Sequence, residues 1–287
     1  MQNRFSPLRY PGGKGKITDY MRSVFEANNL EDGHYVEPFA GGAAVALGLL
    51  FTETVRRIHI NDIDRSIYAF WHSVLNEPEE LCRLIRNKRA SISEWERQKS
   101  VQREKSTTSL IELGFSTFFL NRTNRSGIIN GGVIGGKDQS GTWKIDARYN
   151  KSDLISRIEK IASFASRIEL HNLDAPAFLA KIEARLPDNT LIYLDPPYFY
   201  KGNRLYHSFY KPHDHEFLAR WVLRNLKHHW LVSYDNVIQI EQAYAGKRML
   251  QYSIGYSARE SYKGSEIMIF SDGLTIPNHK NPLAIAA

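Results

Sequence analysis

Cysteine is nearly missing from this sequence: Cys82 is the only one among 287 residues. No internal disulfide can form, and a cysteine-based zinc cluster is excluded. Cys82 sits in Leu81-Cys82-Arg83-Leu84-Ile85, a setting that packs it beside a helix rather than presenting a nucleophile. Long apolar runs are also missing, so no segment reads as a membrane span. The first seven residues lack the apolar stretch of a secretory signal, which makes a cytoplasmic location the expectation. The G-x-G-x-x-G fingerprint of dinucleotide binding is not there, nor is a G-x-x-x-x-G-K-[ST] phosphate cradle. Repeats of fixed period and low-complexity tracts are lacking too.

What remains is globular in balance, with 42% hydrophobic and 24% charged residues. Lys and Arg number 38 against 31 Asp and Glu, a net charge of +7. A basic excess favours a polyanionic partner without proving one. The length suits one large domain or two smaller ones.

The first strong pattern is Ile17, Tyr20, Met21, Val24 and Phe25, one face of a helix that follows the Gly-rich turn Pro11-Gly12-Gly13-Lys14-Gly15. A strand then runs from Tyr35 into Glu37-Pro38-Phe39-Ala40-Gly41-Gly42, and a buried helix follows over Ala43 to Leu50. A second strand, Arg57 to Ile60, ends at Asn61-Asp62, and the next helix carries Ile67, Phe70, Trp71 and Val74. This order predicts an α/β fold with a parallel sheet and covering helices. Strands resume at 168–170, 191–194 and 230–233, and 267–270 closes the sheet. A helix between 191–194 and 230–233 bears Phe217, Leu218, Trp221 and Val222.

Residues 76–167 differ in character. Helical spacing dominates, at Leu81, Leu84 and Ile85, at Ile111, Phe115, Phe118 and Phe119, and at Leu154, Ile155, Ile158 and Ile161. Ser93 and Glu96 form a capping-box pattern. Between these lies a polar, Gly-rich stretch from Asn121 to Gly141. The expectation is a catalytic domain of residues 1–75 and 168–287, interrupted by a mostly helical subdomain over 76–167 with a loop or hairpin at its working edge.

Chemistry concentrates at Leu191-Ile192-Tyr193-Leu194-Asp195-Pro196-Pro197-Tyr198. An apolar strand ends in an acid, two prolines and an aromatic, and ligands in open α/β sheets bind beyond the carboxyl ends of strands. The prolines keep the backbone extended and lack N–H groups. They aim the Asp195 carboxylate and nearby carbonyls into the crevice, where an amino group finds acceptors. Tyr198 offers a flat face to a planar ring. The glycines after Glu37 allow a ligand close to the backbone at a helix N-terminus. Asp62, at the end of the next strand, is placed to accept from ribose hydroxyls, with Asp64 as the alternative; a helix-capping acid is the plainer reading of Asp64. In Arg9-Tyr10-Pro11-Gly12-Gly13-Lys14, Lys14 suits a carboxylate and Tyr10 an apolar pocket, though a solvated turn fits equally well. In the 121–141 stretch, Arg122, Arg125 and Lys137 fit phosphates or guanine, and Asn124 and Asn130 fit adenine edges; a plain polar surface loop is the alternative.

Taken in order, these motifs resemble the Dam-type adenine-specific DNA methyltransferases, the α group of amino-methyltransferases. The match runs from about Ser6 to Phe270: a Gly-Gly-Lys segment, a Phe-x-Gly motif, an inserted recognition region, then Asp-Pro-Pro-Tyr. The resemblance implies a Rossmann-like sheet that binds S-adenosylmethionine, an inserted target-recognition subdomain, and methyl transfer to the N6 amino group of an adenine flipped from double-stranded DNA, with no metal. It implies that Asp195 and the Pro196 carbonyl hold the amino group and that Tyr198 stacks on the base. Phe39 and Gly41, with Glu37 beside them, would wall the cofactor pocket, and Asp62 would take the ribose. Tyr10 and Lys14 are similar to the N-terminal cofactor motif, and Asp174 to the acid that meets the cofactor's adenine. Asn121-Arg122-x-x-Arg125-x-Gly127 is similar to the recognition segment. Tyr10 replaces the usual Trp, Ala43 a common third glycine, and Ala175 a frequent Phe. The Ala43 change implies a fuller turn. Methylation of cytosine N4 or of RNA adenine uses the same acceptor geometry, and a catalytically silent DNA-binding protein would keep the fold. A bacterial or phage origin and a monomer are expected; whether a cognate restriction nuclease accompanies the chain is left open.

Overall fold

The computed structural model describes residues 5–9, 14–199, 210–256, 262–278 and 282, with side chains at 253–256 and 262–264 left aside. Tyr10 lies outside the described residues. The chain forms two compact units, Met1–Gly13 with Ile63–Asn172, and Lys14–Asp62 with Leu173–Ala287.

The strands are β1 (Gly33–Glu37), β2 (Val55–Asn61), β3 (Ile168–His171), β4 (Thr190–Leu194), β5 (His229–Asp235), β6 (Arg248–Tyr256) and β7 (Tyr262–Phe270). They form one sheet in the order β3-β2-β1-β4-β5-β7-β6. β1 pairs in parallel with β2 and β4, and β4 with β5. β7 runs antiparallel between β5 and β6. The chain therefore has the expected α/β, Rossmann-like sheet, but it is mixed rather than wholly parallel because β7 runs antiparallel to both neighbours. The expected last strand over 267–270 is β7, but the sheet closes on β6. Residues 248–256 (Arg-Met-Leu-Gln-Tyr-Ser-Ile-Gly-Tyr) mix charge, Gly and apolar groups, so the edge strand carries little pattern of its own.

β4 is buried along its whole length, which fits its unbroken apolar run: a strand covered on both faces has no polar side to alternate. Helix α1 (Thr18–Ala27) buries Tyr20, Met21, Val24 and Phe25, the stripe its spacing predicts. Helix α2 (Ala44–Phe51) is apolar all round, and Val45 to Leu50 are buried accordingly. Helix α8 (Ala175–Ile182) brings Phe178 and Leu179 into one core with Ile192, Leu194 and Val232.

The other unit is built from α3 (Arg65–Asn76), α4 (Pro78–Asn87), α5 (Ile92–Arg103), α6 (Leu110–Thr123) and α7 (Lys151–Ala162). α6 packs against α3, α4 and α5, and α7 against α3 and α4. This unit takes in α3 as well as the helices of 76–167. Ser91, not Ser93, caps α5, accepting from the Glu94 N–H at 3.2 Å, because the helix starts two residues earlier than the Ser93 pattern requires. Asp64 caps α3 through the Ser66 N–H (2.9 Å), the plainer of its two readings. Cys82 is buried in α4, and burial lifts its thiol to about 11, which keeps it unreactive. After α8 come α9 (Pro212–Asn225) and α10 (Ile238–Ala243). In α9, Leu218 and Val222 join the core while Phe217 stands 51% exposed. No described helix is long and apolar enough to cross a membrane.

Candidate active site

Three strand exits are tied together by a residue that carried no motif. Asn61, buried at the end of β2, donates to the carbonyls of Pro38 and Leu173 at 2.9 Å each and accepts from the Leu173 N–H at 2.9 Å. The amide thus holds the turn after β1 against the segment that leads into α8. Next to it, Asp62 Oδ2 accepts from the Gly41 N–H at 2.9 Å. Gly41 has φ +46°, which glycine adopts freely. Ala43, the N-cap of α2, also lies in the left-handed region, at φ +46° and ψ +35°. The turn is not merely fuller there: the alanine Cβ strains it by roughly 1–2 kcal/mol.

Glu37, at the end of β1, is buried, and its Oε2 has no hydrogen-bond partner among the described residues. Burial, then the charges of Asp195 and Asp62, hold its carboxyl well above the ordinary range, against one favourable Ala46 N–H. A buried unpaired acceptor calls for a donor or cation. The ammonium of an amino-acid cofactor fits that need, so the residues present suit S-adenosylmethionine. Phe39 packs edge-on to Tyr210 with ring centroids 5.9 Å apart. Asp174 is the N-cap residue of α8 yet makes no side-chain cap bond. Its carboxyl is raised by burial first and by Asp214 last.

Asp195 follows β4, and its side chain is 21% exposed. Ser233 of β5 donates to Asp195 Oδ1 at 2.7 Å, and Tyr193 OH lies 2.7 Å from Ser233 Oγ. Lys14 Nζ lies 3.4 Å from the same Oδ1. Among the described residues both contacts converge on Oδ1 rather than Oδ2. Burial raises the Asp195 carboxyl to about 6; Lys14 and Ser233 offset part of that, while Glu266 adds to it.

Lys14 and Tyr198 do not stand open as expected. Lys14 is buried and donates to Glu266 Oε2 at 2.6 Å and to Tyr198 OH at 3.0 Å. Burial works to lower its ammonium, but Asp195 and Glu266 outweigh it and hold it above its ordinary value. The lysine is thus committed to protein carboxylates rather than to a ligand's. Tyr198 is 2% exposed, with its hydroxyl donating to Glu266 Oε1. Pro196 is buried beside it. Sequence reasoning missed Glu266, Ser233 and Asn61. An acid at the head of Glu266-Ile-Met-Ile-Phe reads as a strand flank, and one hydroxyl in Trp230-Leu231-Val232-Ser233 as a spacer, so neither gave a local signal.

In the helical unit the 121–141 stretch is a loop with one antiparallel bridge, Asn124 to Val133. Asn124 is fully buried. Its amide accepts from Trp95 Nε1 (2.6 Å) and donates to the carbonyls of Ile128 and Ile129 (2.8 Å each). That corrects the expectation of a base contact: every polar atom of the side chain already braces the turn. Asn121 does similar work, bonding both backbone groups of Arg9 and the carbonyl of Gly127. Arg122 is half-buried and donates to the Arg148 carbonyl at 2.7 Å. Burial, with Arg9 and Arg157 nearby, lowers its guanidinium to about 10. Lys137 pairs with Glu96 at 2.7 Å. Arg125 and Asn130 are exposed. Arg125 lines a surface depression of about 500 Å³ with Ile134, three glycines and Trp143, the last 68% exposed and 6.0 Å from the Arg148 guanidinium carbon. Among the described residues no cluster of three or more His, Cys, Asp or Glu is arranged to hold a metal.

Several solved methyltransferases resemble the chain at low identity. A S-adenosylmethionine-dependent methyltransferase from Agrobacterium tumefaciens is 9% identical, with 88% of this chain and 60% of that one covered and a TM-score of 0.41. A Pyrococcus horikoshii protein assigned as an RNA methyltransferase is 8% identical, covering 92% and 86%, with a TM-score of 0.44. The rRNA methyltransferase AviRa from Streptomyces viridochromogenes is 14% identical, covering 97% and 89%, with a TM-score of 0.39. At these values the likenesses carry no part of the assignment. No curated protein matches the chain. The family model of D12 class N6 adenine-specific DNA methyltransferases matches residues 10–256, a range that includes Glu37 to Asp62, residues 76–167 and Asp195 to Tyr198. The chain belongs to that family, the D12 class N6 adenine-specific DNA methyltransferases, whose cofactor is S-adenosylmethionine.

Proposed function

We propose that the chain methylates the N6 amino group of an adenine turned out of duplex DNA, with Asp195 as the acceptor that activates it. One observation supports this above the rest: Asp195 ends a buried strand, spends Oδ1 on Ser233 and Lys14, and keeps Oδ2 for substrate. When bound, S-adenosylmethionine supplies a methyl group on a positively charged sulfur. Glu37 would hold its ammonium, Asp62 its ribose hydroxyls and Asp174 its adenine, with Phe39 and Gly41 as walls. Asp195 Oδ2 and the Pro196 carbonyl would accept hydrogen bonds from the two N–H groups of the amino nitrogen, turning its lone pair toward the methyl donor. Alignment of this kind contributes up to about 7–11 kcal/mol. Acceptors fixed where positive charge develops on nitrogen add to it. With its carboxyl near 6, Asp195 then takes the proton that the nitrogen gives up. Tyr198 is closed to solvent, so stacking on its ring follows only after the site has opened around the base.

Turning the base out costs a few kcal/mol, which DNA contacts must offset. We assign these to the unit that contains residues 76–167. Arg125 and Trp143 line its depression, and Arg9, Arg122, Arg148 and Arg157 crowd like charges that a phosphate would relieve. Lys137 and Asn130 flank this face as further contacts. The test is incubation with duplex DNA and tritiated cofactor, followed by nucleoside analysis. N6-methyladenine in the product supports the reading; N4-methylcytosine, or label only in RNA, replaces it.

A further inference from the structure

Glu266 belongs to none of the motifs that define the site, yet it is the most deeply enclosed acid beside it, with 0% exposure. Both of its oxygens are bound: Oε2 by Lys14 Nζ at 2.6 Å and by Tyr252 OH, and Oε1 by Tyr198 OH. Burying an ion pair in a strand costs desolvation, and an apolar residue would fill the position at less cost. The consequence of having the acid there lies in where it takes the lysine. Lys14 Nζ is 2.6 Å from Glu266 but 3.4 Å from Asp195. With no acid at 266, the ammonium would have Asp195 as its nearest anion.

We propose that Glu266 is a positioning residue of the methyl-transfer site, a buried anchor that draws Lys14 away from Asp195 and keeps the acceptor carboxylate open to the substrate amino group. This rests on the reading of Asp195 as the acceptor. A closed Lys14–Asp195 pair would use the carboxylate's electron density on the lysine and weaken it as acceptor and base. Held at its present distance, Lys14 screens Asp195 only in part. Tyr198 is fixed by the same acid, so one side chain registers the acceptor, the lysine and the aromatic ring together. Among the described residues the titratable groups around Asp195 are Lys14 ahead of α1, Glu37 and Tyr35 from β1, Tyr193 from β4, Tyr198, Tyr234 from β5, Tyr252 from β6 and Glu266 from β7. Burial keeps Tyr35, Tyr193, Tyr234 and Tyr252 neutral, and among these groups Lys14 alone is cationic. The Glu266 charge therefore acts on Asp195 in one direction, directly and by holding Lys14: it raises the carboxyl.

The full-length chain labelled with carbon-13 at Asp carboxyls, and titrated by NMR without cofactor or DNA, tests this. The Asp195 signal is assigned by its loss in Asp195→Asn. Glu266→Gln keeps the shape and removes the charge; the Asp195 midpoint should fall by about one pH unit, whereas Lys14→Met should raise it. In methyl transfer the acid limb of kcat for Glu266→Gln should move down by a similar amount, with kcat at its plateau reduced about tenfold for each 1.4 kcal/mol of lost transition-state stabilisation and KM for S-adenosylmethionine unchanged. If Glu266→Gln alone does not fold, Lys14→Met/Glu266→Gln is compared with Lys14→Met, and the double variant should titrate lower. A midpoint that stays put or rises when Glu266 is removed, in either background, overturns the proposal. The titration reads Glu266 against Asp195 without turnover, so it stands apart from any failure of Asp195 as the acceptor.

Discussion

Replacing Asp195 by Asn preserves shape and hydrogen-bonding capacity on one side while removing the charge, and its effects on activity and stability have opposite signs. In the native protein the carboxyl titrates near 6, against 3.8 for an ordinary aspartate, because burial outweighs Lys14 and Ser233. A raised aspartate adds stability below pH 3.8, where it is protonated folded and unfolded, and loses that contribution as pH rises through about 6. At about 1.4 kcal/mol per pH unit the loss amounts to roughly 3 kcal/mol, and the partial exposure of the side chain reduces it to about 1–3 kcal/mol. Asp195→Asn should therefore be more stable than the native chain at pH 8 and equal to it at pH 3.5, as read by urea unfolding at both values. The same change removes a charge-assisted acceptor at the amino nitrogen, worth about 1.5–3 kcal/mol, so kcat should fall by roughly 10–150-fold. Assays with tritiated cofactor and duplex DNA across pH 5–9 measure this; native activity should rise with pH to a plateau through a midpoint near 6. Full kcat in Asp195→Asn would refute the acceptor role. A variant that gains no stability at pH 8 would refute the electrostatic account of the site.

Glu37→Gln should weaken S-adenosylmethionine binding by roughly 10–100-fold, since a buried carboxyl that an ammonium would ionise is replaced by an amide that cannot ionise; calorimetry checks it. Ala43→Gly should raise stability by about 0.5–1 kcal/mol with binding unchanged, because glycine relieves the left-handed backbone at that cap; a loss of stability would show that the alanine methyl packs more than it strains. Asn124→Ala should cost about 2–4 kcal/mol of stability while leaving the salt dependence of DNA binding alone, since three internal bonds break and no phosphate contact is lost. Arg125→Ala, by contrast, should lower the slope of log affinity against log salt by about one, and an unchanged slope would take Arg125 off the DNA surface.

Much of the fold was legible because burial leaves an imprint on residue order. The apolar run of β4, the helical stripe Tyr20-Met21-Val24-Phe25 and the glycines after Glu37 each state their local structure through period or backbone freedom. The place of Asp195 was legible for the same reason, since an acid and two prolines follow directly on the apolar run of a buried strand. The edge strand β6 was not, as its partner supplies the pairing that its own pattern does not demand. Asn124 shows how a residue type misleads: an asparagine in a polar loop reads as surface, and only the position of Trp95, 29 residues earlier, turns its amide inward.

By itself the sequence placed Asp195 at the exit of a buried strand and a glycine-containing turn after Glu37, because those features depend on neighbours along the chain. The charge state of the site was decided in three dimensions. Lys14, Tyr198, Tyr252 and Glu266 are separated by up to 252 residues, and only the pairing of β7 between β5 and β6 brings that acid to the lysine and the two phenols. Electrostatic interactions of buried groups depend on distance and on the exclusion of water, and neither is written in the order of the residues.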